Sequence, residues 1–210
     1  MSKENAKGPA FEWWMFSFIA AGAGWSAFIS LLIPPYVTEA SGGNAANAGI
    51  VMAIISLAAV LGPVLGGFAD KYRAHRLVLS LGVLGLSLGF VAYAVSAEAQ
   101  AILALDAILL GVSVAALNAV GPVFVIGAAL SQALQAKRLT VLNLLQPVGQ
   151  VIGGVIMAAA ASLDFSARFW IAAGVILACA AVTWFASAGP AKRILLPEDK
   201  EDHQLDDQNK

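Results

Sequence analysis

The sequence predicts an all-α membrane protein with six transmembrane helices, built as two inverted three-helix repeats. Three observations predict the six membrane helices: a composition too apolar for water, six long runs almost free of charge, and basic residues gathered on one side of those runs; the repeats rest on an internal match and a family resemblance given below. Of 210 residues, 60% are hydrophobic and 12% are charged, and the mean hydropathy is +0.81. Soluble domains are about 45–50% apolar and about 25% charged. A water-soluble fold of this size could not hide so much apolar surface.

A bilayer core of about 30 Å needs about 20 apolar residues per helix. The runs are Trp13–Ile33, Ala48–Ala69, Leu77–Ala97, Ala99–Leu130, Leu139–Leu163 and Phe169–Ala188. The first follows Lys3 and Lys7, as a secretory signal would, but its apolar stretch exceeds a signal core of about 7–15 residues. It is therefore expected to be a retained helix. The fourth run holds one acid, Asp106, and is too long for one straight span; Gly121-Pro122 is expected to kink it or to mark its cytoplasmic extension. Three segments result: a cytoplasmic N-terminus over 1–12, a transmembrane domain over 13–188 and a polar, acidic cytoplasmic tail over 189–210, with disorder expected from Pro197 onward.

Lys3, Lys7, Lys71, Arg73, Arg76, Lys137, Arg138, Lys192, Arg193, Lys200 and Lys210 fall on one side of the spans, and only Arg168 falls on the other. The positive-inside rule makes the basic side cytoplasmic, so both termini are expected inside. The expected location is the bacterial inner (plasma) membrane.

Lipid gives apolar side chains no reason to prefer each other, so helices associate where small residues let backbones approach. Ala58, Gly62 and Gly66 on helix 2, Gly82, Gly85 and Gly89 on helix 3, and Gly149, Gly153 and Gly154 on helix 5 are expected to be such seams. Ala58–Ala69 can also be laid on Gly149–Ala160, matching Val60, Gly62, Val64 and Ala69 to Val151, Gly153, Val155 and Ala160. That overlay sets helix 2 opposite helix 5, as in an inverted repeat.

The segment Gly66-Gly67-Phe68-Ala69-Asp70-Lys71-Tyr72-Arg73-Ala74-His75-Arg76 joins helices 2 and 3 on the basic side. It resembles the signature loop of the major facilitator superfamily, roughly G-x-L-A-D-R-x-G-R-R. Gly66, Ala69 and Asp70 match, Lys71 keeps the charge, and Phe68 replaces Leu. Arg73 and Ala74 depart from the family's Gly and Arg. The resemblance covers the six-helix region as the N-terminal half of a twelve-helix fold. It implies that Gly66, Asp70, Lys71, Arg73 and Arg76 form a gating loop that latches two halves and takes part in switching. The alternative is that these charges only set topology. Two other family patterns are incomplete: Ala107 stands where an Arg is usual before Gly111, and the helix 5 antiporter pattern reduces to Gly149, Gly153 and Gly154.

Ionisable groups inside a membrane are costly and are functional candidates by default. Asp106 could bind a cation or a proton, or it could be an acid wetted from the outer mouth. Asn143, Gln146 and Gln150 fall on one face of helix 5. Unsatisfied amides do not face hydrocarbon, so they should line a cavity or bond another helix. The resemblance, in which helices 1, 4 and 5 line the central path, favours substrate contact. Trp25 and Asn118 join them as substrate candidates, although Asn118 is rotated about 120° from Asp106 on a helical wheel.

Three functions remain to be weighed. One is secondary active transport of a small solute, working with a second six-helix unit that is either a separate chain or a second copy. Another is a truncated or non-transporting membrane protein that acts by binding a partner. The third, a membrane enzyme, finds no Ser/His pair, no HExxH motif and no convergent acids. The lone Cys179 and the absence of a G-x-x-x-x-G-K-[ST] loop give no reason to expect a metal, a cofactor or nucleotide-driven pumping. The expected partners are a small solute, lipid and the second unit; nucleic acid is not among them.

Overall fold

A computed structural model describes residues 9–96, 100–128 and 130–191. It contains helices and no β-strand among those residues. Six helices are long and apolar enough to cross a membrane: α1 Trp13–Ala40, α2 Ala45–Lys71, α3 His75–Val95, α4 Ala101–Ile126, α5 Gln132–Ala159 and α6 Phe165–Ala186. The polar tail beyond Ala191, Glu98, and the lysines at 3 and 7 lie outside the described residues.

Helix ends differ from the sequence expectation in two places. α1 runs on past Ile33 through Pro34-Pro35 to Ala40. A proline removes one backbone donor from a helix. Helical geometry nevertheless persists through both prolines; just upstream, Gly22–Ile29 is wound with π-type, wider turns, and Thr38 Oγ1 donates to the Pro34 carbonyl at 2.8 Å. α5 begins at Gln132 rather than Leu139. Ser131 caps it, accepting from the Leu134 N–H, and Lys137 and Arg138 therefore stand in the second turn of a helix. α4 is interrupted at the expected place: helix stops at Val120, Gly121 and Pro122 form a turn, and Val123–Ile126 resumes.

The packing repeats itself. α1 packs along α5, and α4 packs along α2; α3 meets α4, and α6 meets α1; α3 and α6 pack on each other. Exchanging helices 1–3 with 4–6 turns each pairing into another on the same list, which is the symmetry of two inverted repeats. The residues agree with the overlay made on sequence. A Cβ on Gly149 would lie 2.2 Å from the Ile19 carbonyl oxygen, and one on Gly153 would meet Ala27 and Ala23. Their overlay partners Ala58 and Gly62 face α4 instead, Ala58 at Gly111 and Gly62 beside Ala115. Ile55 and Gln146, each three positions earlier, present their carbonyls to Gly111 and Gly22 respectively. The α3 glycines 82, 85 and 89 lie against Ala116, Ser113 and Leu110 of α4. Gly154 has nothing near it and is not part of a seam.

The core sits among α1, α3, α4 and α6, where Phe28, Leu79, Leu86, Phe90, Leu117 and Ile176 are buried. α2 and α5 flank it, each with one covered stripe and a broad uncovered side bearing Leu57 and Val64 on α2 and Val151 and Val155 on α5.

Candidate functional site

Contacts between helix ends define one end of the bundle. Arg138 at the start of α5 bonds Pro9 and Glu12 before α1. Arg76 at the start of α3 bonds the Trp184 carbonyl near the end of α6. Trp14 of α1 stacks on Phe124 at the end of α4, and Asp70 of α2 shares a groove with Val123. The described basic residues Lys71, Arg73, Arg76, Lys137 and Arg138 all stand at this end. Arg168 stands at the other, donating to the carbonyls of Leu163 and Ala161.

The α2–α3 turn has a definite geometry. The Ala74 N–H reaches the Ala69 carbonyl at 2.9 Å, and the Arg73 N–H reaches Asp70 at 3.3 Å. This is the Schellman arrangement, whose pivot residue adopts the left-handed conformation that glycine favours. Here the pivot is Arg73, with φ 51°. The position where the sequence departs from the glycine of the signature loop is thus the position where glycine would be least strained.

Within this turn Asp70 Oδ1 lies 2.8 Å from Nε2 of His75, which is buried while Asp70 is exposed. Lys71 lies over the Tyr72 ring. Arg76 stacks 4.4 Å from the Trp184 ring centre while donating to that residue's carbonyl. Gly66, Asp70, Lys71, Arg73 and Arg76 therefore share one turn and its flanks, and Arg76 ties the turn to α6.

From Asp70 a groove of about 470 Å³ runs between α2 and α4. Gly62 and Gly66 line one wall; Ala115, Asn118 and Ala119 line the other. The small residues make it shallow and open, and the exposed Asn118 supplies the polar group on the α4 wall. On α5, Asn143 and Gln150 are exposed and Gln146 is half-buried. The three amides border the stripe that packs on α1, where the Gln146 backbone touches Gly22. Trp25 is half-buried in the π-wound part of α1, and its carbonyl accepts from Ser30 Oγ. Asn118 and the α5 amides lie on different helices, and no hydrogen bond among the described residues joins them.

Asp106 is turned elsewhere. It is buried at the far end of α4 and accepts a short hydrogen bond from Ser96 Oγ, at the end of α3. The carboxylate has a protein partner at the end of α3 and does not join Asn118.

Sequence reasoning missed two polar contacts. His75 is the partner of Asp70. Arg138, read as a loop residue, is 2% exposed: it pairs with Glu12 at 2.7 Å, and Glu12 also accepts from Trp14 Nε1 at 2.8 Å. This clamp holds the segment before α1 against α5. The available signal was an acid just before the first apolar run and a base just before the fifth, both on the basic side.

The family model described as Major Facilitator Superfamily matches residues 14–207. No curated protein matches the chain.

Proposed function

The chain belongs to the Major Facilitator Superfamily, whose members carry small solutes across membranes, and from that premise we propose that it is one six-helix unit of a secondary active transporter that works with a second such unit. The supporting observation is the uncovered side of α2 and α5. Asn143 and Gln150 are exposed there with no hydrogen bond to the described chain, and the α2–α4 groove opens beside small residues. In hydrocarbon each unpaired amide would cost several kcal/mol. A second unit across this face would remove them from lipid and enclose a polar path between α1, α4 and α5. Trp25, Asn118, Asn143, Gln146 and Gln150 are the substrate contacts in this reading, and Asp106 is the coupling residue. Gly66, Asp70, Lys71, Arg73 and Arg76 form the gate. An identical copy would be parallel to the first, since each carries both termini on one side, and would be related by an axis along the membrane normal. The basic end lies on the cytoplasmic side of the plasma membrane.

A cysteine at Gly67, which has open space around it, tests the second unit. With Cys179→Ser as background, a thiol-to-amine cross-linker should convert the 21.6 kDa chain into a complex with a second membrane chain or copy. Persistence at monomer mass in native membranes contradicts the proposal.

A further inference from the structure

The far side of the molecule carries a second concave site. Between α3 and α6 lies a groove of about 410 Å³, lined by Leu77, Leu81 and Leu84 on one side and Leu177, Ala181 and Trp184 on the other. It extends about 10 Å along α3, given a rise of about 1.5 Å per residue. Two features distinguish it from an ordinary lipid-facing surface. Arg76 stands at its basic end, held on the Trp184 face and carbonyl by Nε and Nη2; a guanidinium has five donors, so others are left for an anion. One turn deeper, Ser80 lines the groove. It is 4% exposed, and its Oγ has no hydrogen-bond partner.

We propose that this groove binds an anionic phospholipid, with the phosphate on Arg76, an ester carbonyl accepting from Ser80 and an acyl chain along the leucines. The charges are complementary, and a cationic pocket between helices at the basic end of a membrane protein is suited to anionic headgroups. The four positions from Arg76 to Ser80 span about 6 Å, comparable to the step from a phosphate to the glycerol esters. Leu81 and Leu177 are each about half exposed beside the groove, so the occupant must be apolar along its length, which a free phosphate is not. Lipid binding here needs no second unit, because the groove lies on helices α3 and α6 rather than on α2 and α5.

Native mass spectrometry of the full chain in mild detergent tests it, with phosphatidylglycerol and phosphatidylcholine as probes. One basic residue near the headgroup should give phosphatidylglycerol an advantage of about fivefold. Arg76→Gln should abolish that preference, and Arg76→Lys should keep most of it. Ala181→Phe, which fills the groove from the other helix, should lower retention of both lipids. Millimolar inorganic phosphate should displace neither. Equal retention of the two lipids by the unaltered chain overturns the proposal, as does an undiminished preference in Arg76→Gln or unchanged retention in Ala181→Phe. Displacement by inorganic phosphate overturns the lipid assignment in favour of a simple anion site. Circular dichroism of each variant separates loss of the site from loss of the fold.

Discussion

Arg73 and Arg138 show how much a single residue's surroundings decide. The left-handed conformation costs a non-glycine residue about 1–2 kcal/mol, and Arg73 holds it at the pivot of the α2–α3 turn. Thermal stability should therefore rank Arg73→Gly above the unaltered chain and Arg73→Val below it, since a β-branched residue is worst at positive φ. An exposed guanidinium contributes only about 0–1 kcal/mol through ion pairs, too little to reverse that order; a valine variant as stable as the glycine one would refute the turn. Arg138 is the opposite case, a buried cation satisfied by Glu12 and the Pro9 carbonyl. Breaking a buried pair costs about 3–5 kcal/mol. Glu12→Gln should thus be strongly destabilising alone, and much less so once Arg138→Met is present. Additive losses in a double-mutant cycle would mean that the two residues are not coupled.

At the scale of helices, the contact seams follow from residue size. An alanine at Gly149 would drive its Cβ into the Ile19 backbone, and overpacking of this kind costs about 1–3 kcal/mol. Gly149→Ala should lower the melting temperature in detergent, while Gly154→Ala, with open space around it, should not; equal effects would dissociate the seam from the stability. The six spans and their seams were legible in the sequence because length, hydropathy and small-residue spacing are local properties. The start of α5 was not, because Lys137 and Arg138 resemble a loop by charge, and only the fold supplies Glu12 as a partner. The extension of α1 past Pro34-Pro35 was hidden for a similar reason: prolines signal a helix end locally, and here the helix continues through them. Among the candidate site residues, the α2–α3 turn was legible as a motif. Its internal pairing of Asp70 with His75 depended on the turn's geometry, and the orientation of Asp106 toward Ser96 depended on how α3 packs on α4.

At the scale of the whole molecule, the inverted repeat and the uneven coverage of the helices belong together. α1 and α4 hold the repeats together, and α2 and α5, which pack on them, are left with one side free. Topology is the first consequence. Cysteines at Ser41 and Ser162 should label from outside the cell and one at Lys137 should not; the reverse pattern would invert the proposed orientation. The function rests on what faces the free side of α5. On that helix Gln146 and Gln150 border α1, whereas Val148 and Val155 are turned well away from them; all but the half-buried Gln146 are exposed in the isolated chain. The most direct measurement is the reaction of single cysteines at these four positions with a small hydrophilic thiol reagent, in native membranes and a Cys179→Ser background. A polar path predicts rapid reaction at Gln146 and Gln150 and little at Val148 and Val155, which are turned away from that path. Equal reactivity at all four positions, or protection of both glutamine sites, would contradict it.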